Sequence, residues 1–143
     1  MTKAAGAKPS KEQNKNKMVG PPGVLCLPTG QQPLTEGGRR QRIRELNDQL
    51  RTTGRGGMVL VTNGIAMLGS GGRAILDAVQ EFHDFNPDND LGGEHDCASL
   101  EVNGRRVIWK IDALDRRREF ASPDPADPKV TVRVLSVMLA SEY

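Results

Sequence analysis

The dipeptide Asn103-Gly104 constrains this chain more than any other feature. It separates two runs of strand-like alternation, residues 98–102 and 105–112. A type I′ turn needs positive φ at both central residues, and Asn-Gly meets that need at least steric cost. A two-residue turn leaves one register: Val102 opposite Arg105, Glu101 opposite Arg106, Leu100 opposite Val107, Ala98 opposite Trp109. Side chains alternate between the faces of a sheet, so Ala98, Leu100, Val102, Val107, Trp109 and Ile111 share one face, which must be the core face. Glu101 and Arg106 form a cross-strand ion pair on the other. Carried further, the same ladder sets Cys97 opposite Lys110 and His95 opposite Asp112.

Around this hairpin the periodicity predicts helices. Residues 36–53 have Thr35 as N-cap, an apolar face of Ile43, Leu46 and Leu50, and Gly54 as a stop. Residues 58–62, Met-Val-Leu-Val-Thr, have the short, β-branched, apolar character of a buried strand. Asn63-Gly64 then closes a second hairpin with residues 65–68 or turns into the next helix; the weak β-branching of those residues leaves both open. Ile75, Val79 and Phe82 mark a helix over 72–84. Residues 129–143 fit two periods. Val130, Val132 and Val134 alternate as in a strand, but the Asp127-Pro128 start and the length favour a buried helix. The expected fold is therefore α+β: a small antiparallel sheet of about three strands packed with about three helices, as one domain over 39–143.

Residues 1–38 are expected to be a disordered basic tail. They carry Lys3, Lys8, Lys11, Lys15 and Lys17, a Pro/Gly-rich run at 20–23, and no aromatic residue or apolar period. Such a segment buries too little to offset its ordering entropy. Val24-Leu25-Cys26-Leu27 is far too short for a signal or membrane segment, so a cytoplasmic protein with no membrane association is expected. Cys26 and Cys97 have neither metal spacing nor a disulfide context.

The net charge of +2 hides an uneven distribution. Arg39, Arg40, Arg42, Arg44, Arg51 and Arg55 cluster early, whereas no Lys or Arg lies between Arg73 and Arg105. Asp77, Glu81, Asp84, Asp88, Asp90, Glu94, Asp96 and Glu101 fill that gap. Either the oppositely charged elements pack together, or Arg39, Arg40, Arg42 and Arg44 offer a face to nucleic acid or an acidic partner. Aromatic residues are too few for a base-stacking platform.

The acidic loop invites two chemical readings. Asp88, Asp90, Glu94, His95, Asp96 and Asp112 are candidate ligands for a divalent cation, the one cofactor these residues could hold. An EF-hand is excluded, because the glycine falls one place late at Gly92 and no Glu stands twelfth from Asn86. The alternative is an Asx-rich loop that caps its own backbone. His95, Asp112 and Lys110 are the candidate catalytic residues, an imidazole oriented by a carboxylate beside an amine. A restriction-type nuclease is disfavoured, since Ile108 stands where an acidic residue is needed. Cys97 beside His95 makes a weaker nucleophile pair. The glycines at 69–72 lack the spacing and the Lys-Ser/Thr end of a phosphate loop.

Several of these motifs occur together: Asn86-Pro87-Asp88-Asn89-Asp90, Gly92-Gly93-Glu94-His95-Asp96, Trp109-Lys110-Ile111-Asp112, Ser122-Pro123-Asp124-Pro125-Ala126-Asp127-Pro128 and Met138-Leu139-Ala140-Ser141-Glu142-Tyr143. The combination resembles a family of short bacterial proteins of unknown function, often carried on plasmids and other mobile elements. It spans about residues 42–143. The resemblance implies a cytoplasmic bacterial accessory protein and transfers no catalytic residue. The expected function is that of a non-catalytic binding or modulator module acting on a macromolecular partner, protein or nucleic acid. The competing expectation is a metal-dependent hydrolase using the acidic loop and His95.

Overall fold

A computed structural model describes residues 34–143. Residues 1–33, with the lysines and the Val24-Leu25-Cys26-Leu27 run, lie outside the described residues. Helix α1 spans Glu36–Thr53 and strand β1 spans Met58–Val61; a single-turn helix α2, Asn63–Ala66, and helix α3, Ser70–Glu81, follow. Strands β2 (Cys97–Val102), β3 (Arg105–Leu114) and β4 (Val132–Leu139) complete the sheet, and a 3₁₀ turn over Ala140–Glu142 follows. Among the described residues no helix is long and apolar enough to cross a membrane.

The fold is α+β, as the periodicity predicts, with four strands rather than about three. Their order is β1-β4-β3-β2, with β1 parallel to β4 and the other pairs antiparallel. The hairpin has the register set by its turn, from Val102↔Arg105 to Cys97↔Lys110, with Asn103 and Gly104 both at positive φ. Helix α1 has the predicted ends. Thr35 Oγ1 accepts from the Gly38 N–H, and Gly54, at φ 76°, closes the last turn by donating to the Leu50 carbonyl.

The fourth strand corrects the expectation of a C-terminal helix. Residues 132–139 form β4, in the interior of the sheet between β1 and β3. Val134, Leu135, Val137 and Met138 are all buried. An interior strand covered on both faces reads as a near-continuous apolar run, which helical spacing fits as well as strand alternation does. Asp127 caps no helix; its Oδ1 accepts from the Lys129 N–H in a local turn. Asn63-Gly64 resolves as the turn into a helix, not a hairpin.

The Met58–Val61 run is a strand, but not a buried one. Val59, Leu60 and Val61 are 41%, 48% and 38% exposed, because β1 lies at the sheet edge. The core sits on the face of Val107, Trp109, Ile111 and Val137, where Leu50, Ile75 and Val79 of α1 and α3 pack. Gly57 permits this approach: a Cβ there would press on the Arg133 carbonyl oxygen and lie 2.9 Å from Leu50 Cδ2.

Candidate functional site

The acidic loop between α3 and β2 is held by one face of α1. Arg44, Asn47, Asp48 and Arg51 recur at helical spacing, so their side chains project the same way. Arg44 Nε donates to the Gly93 carbonyl at 2.7 Å, and Asn47 Nδ2 donates to the Glu94 carbonyl at 2.9 Å. Asn47 Oδ1 in turn accepts from Nε of buried Arg133, whose Nη2 donates to the Pro125 carbonyl. Arg51, only 4% exposed, donates through Nη1 to the carbonyls of Val79 (3.0 Å), Gln80 (3.3 Å) and Phe82 (2.8 Å). These include unsatisfied acceptors at the end of α3, where a cation also complements the helix dipole. Its Nη2 donates to Asp48 Oδ1 at 3.0 Å.

Asp48 links this arginine to His95. The imidazole Nδ1 lies 2.9 and 3.0 Å from the two Asp48 oxygens. A carboxylate only accepts, so the Nδ1 proton points here. Nε2 lies 3.5 Å from Oδ2 of Asp90, whose Oδ1 accepts the His95 backbone N–H. The ring stacks on Phe85, with centroids 3.7 Å apart and planes within 5°. Phe85 also meets Trp109 edge to face, and the Arg51 guanidinium lies 5.3 Å from the Phe85 centroid and 5.4 Å from that of Trp109. Arg51 Nε and Trp109 Nε1 are buried without hydrogen-bond partners among the described residues. The aromatic faces beside the cation offset part of that cost.

The predicted His95–Asp112 pair does not form. Backbone pairing reaches the Asp96 carbonyl, which accepts from Ile111 N–H, and the chain then turns at His95 with φ 54°. Gly93, at φ 69°, tightens the same turn against Arg40. The left-handed residue takes His95 out of the ladder and swings its ring to α1, on the helix-covered side of the sheet. Asp112 stays on the opposite side and pairs with Lys110 at 3.0 Å. The catalytic trio His95, Asp112 and Lys110 is therefore not assembled.

The other candidates scatter as well. Asp88 is exposed, with its N–H donating to Asn86 Oδ1 in an Asx turn. Asp96 is exposed beside Cys97. The Glu94 carboxyl is pushed above the ordinary range by burial, then by Asp96, against the pull of Arg40, Arg133 and Arg39. Partial desolvation, then Asp96, raises the Cys97 thiol, which makes it a poor nucleophile at neutral pH. Among the described residues no three His, Cys, Asp or Glu side chains converge as a metal site. Of the arginines, Arg39 pairs with Asp124 at 2.7 Å and Arg42 lies 3.7 Å from Glu45. Arg40 is exposed and has no ion-pair partner among the described residues.

An open cleft of about 400 Å³ remains between α1 and the loop. Arg40 and Arg44 line one side; Pro87, Leu91, Gly92 and Gly93 line the other, over Phe85 and His95. Sequence reasoning missed Asn47, Asp48, Arg51, Phe85 and Arg133. The available signal was the polar stripe at 44, 47, 48 and 51, which flanks the buried Ile43 and Leu50.

A family model described as Protein of unknown function (DUF3768) matches residues 61–142, more than half of the 143. The matched stretch includes the acidic loop, the hairpin and β4; α1 lies outside it. No curated protein and no solved structure matches the chain.

Proposed function

This chain belongs to the family described as Protein of unknown function (DUF3768), and from that premise we propose that it is a non-catalytic binding module acting on a macromolecular partner. The observation that carries this reading is how His95 is used. A general base needs a ring nitrogen open to substrate. Here Nδ1 meets Asp48, Nε2 faces the mostly buried Asp90, and one ring face is covered by Phe85. His95, Asp90 and the Gly93 and Glu94 carbonyls are engaged with the protein itself, and among the described residues an open cleft beside them is left for a ligand.

The cleft's chemistry supports an acidic segment of a partner protein that also carries an apolar side chain. Arg40 and Arg44 supply the cations, and Leu91, 90% exposed, supplies an apolar contact. Nucleic acid is the weaker match. With Arg39 paired to Asp124 and Arg42 near Glu45, Arg40 and Arg44 are the α1 arginines left at this cleft to displace counterions along a phosphate backbone. A cytoplasmic accessory role in bacteria, including one carried on mobile elements, accords with such a module.

The test is an amide NMR titration with a short Glu- and Leu-containing peptide, its Lys-containing counterpart and a short DNA duplex. The acidic peptide should shift Leu91, Gly92 and Gly93, and Arg40→Glu should abolish those shifts. Shifts with DNA alone, or none with any ligand, would refute the reading.

A further inference from the structure

Among the described residues, strand β1, Met58–Val61, pairs with β4 alone and forms one edge of the sheet. It carries no charge and no proline, the usual devices that keep an edge from pairing. The direction of its backbone groups follows from one bond. The Thr62 N–H donates to the Val137 carbonyl at 3.1 Å, so the backbone of Thr62 faces β4. Successive residues of a strand turn their N–H and C=O groups to opposite sides. Leu60 and Met58 therefore also face β4, and Val59 and Val61 turn theirs outward.

We propose that two copies of this chain pair antiparallel through β1, with Leu60 on the two-fold axis. The register follows from the parity just given. Val59 sits opposite Val61 of the second copy, and Val61 opposite its Val59. These two hydrogen-bonded pairs exchange four N–H···O=C bonds, and they satisfy all the outward groups of both valines. Leu60 then faces Leu60 as the close, non-hydrogen-bonded pair. The sheets of the two copies become one sheet of eight strands.

Charge at the ends of β1 identifies the occupant as a second copy. Arg118 Nη1 lies 3.4 Å from Met58 Sδ at one end. At the other end Glu142 accepts from the Thr62 hydroxyl and the Gly64 N–H. In this register Met58 lies opposite Thr62 of the second copy, and directly opposed side chains share a face. Each Arg118 is thereby laid beside the other copy's Glu142, twice per dimer. Parallel pairing would instead set Arg118 against Arg118. An unrelated strand would gain only the backbone bonds.

Light scattering of the size-fractionated full chain tests this. The wild type should have twice the mass of one chain. Leu60→Lys, a change at a half-exposed side chain, should give a folded monomer with an unchanged circular dichroism spectrum. Arg118→Glu should weaken association roughly tenfold, as two modest cross-strand pairs become repulsive. The register is tested by Leu60→Cys in a Cys26→Ser, Cys97→Ser background. Opposed non-hydrogen-bonded residues have Cα atoms about 4.5 Å apart, within disulfide reach. Mild oxidation should therefore link two Leu60→Cys chains and leave Val59→Cys unlinked. A monomeric wild type would overturn the proposal, including one that captures the strand of a different protein. Equal cross-linking at positions 59 and 60 would overturn the register.

Discussion

The acidic loop and strand β1 invert each other. The loop is rich in Asp, Glu and His, yet the groups it turns toward α1 are consumed internally: Asp48 on His95, Asp90 on the His95 N–H, Arg44 and Asn47 on its carbonyls, while Asp88 and Asp96 stay exposed. Strand β1 is as apolar as a core strand, yet its side chains are half exposed and, among the described residues, its outward backbone groups have no neighbouring strand. Composition therefore misleads in both places. A polar cluster fixes structure when the groups it needs lie within reach of one helix face. An apolar strand is surface when it lies at a sheet edge. The cost of leaving a polar group unpaired in the interior explains why the loop groups turned toward α1 are bonded.

The largest expected contrast between the two regions comes from Arg51. Arg51→Ala strips the α3 end of its donor and leaves Asp48, a third exposed, without its arginine. Losing these bonds to a buried charge costs about 1.5–3 kcal/mol, measured by denaturant unfolding at fixed protein concentration. A loss under about 1 kcal/mol would break the comparison, because the loop would then not depend on α1.

Leu60→Lys should change the intrinsic stability of one chain by only about 0.5 kcal/mol, since the side chain is half exposed. Unfolding extrapolated to low protein concentration reads this apart from association. A cost of several kcal/mol would mean that β1 is core after all.

The smallest effect is a pH dependence at the end of β1. Hydrogen bonds from the Thr62 hydroxyl, then from the Leu139 and Gly64 N–H groups, hold the Glu142 carboxyl below its ordinary value of 4.5. A carboxyl lowered in the folded state stabilises it above the unfolded value. That contribution is lost as pH falls from 4.5 through the folded value. Glu142→Gln should therefore flatten the acid-side fall in stability and leave the neutral-to-basic side with its wild-type slope. An unchanged acid limb would remove Glu142 from the edge's local structure.

How much of this could be read from the residues follows the range of each interaction. The hairpin was legible because its turn acts over two residues and transmits register along both strands. Helix α1 was legible because Thr35 and Gly54 cap it locally. Strand β4 was not, because its place inside the sheet is set by pairing with β1 and β3, distant in sequence. The His95–Asp112 pairing failed at one backbone angle: the left-handed φ of His95 ends the ladder. No local pattern announced it, since the force comes from Asp48, 47 positions away. The stripe at 44, 47, 48 and 51 was visible as a polar helix face, but not the loop carbonyls it meets.

The most direct test of the central claim, that His95 is a structural member of a clamp, is the unfolding free energy of His95→Ala. It should be measured at one protein concentration, with and without added Mg²⁺, Mn²⁺ or Zn²⁺. The account predicts a loss of about 1–3 kcal/mol, from the bonds to Asp48 and the stack on Phe85, with the wild-type midpoint unmoved by any of the metals. An unchanged or increased stability in the mutant, or a metal-dependent rise in the wild type that His95→Ala abolishes, would contradict it.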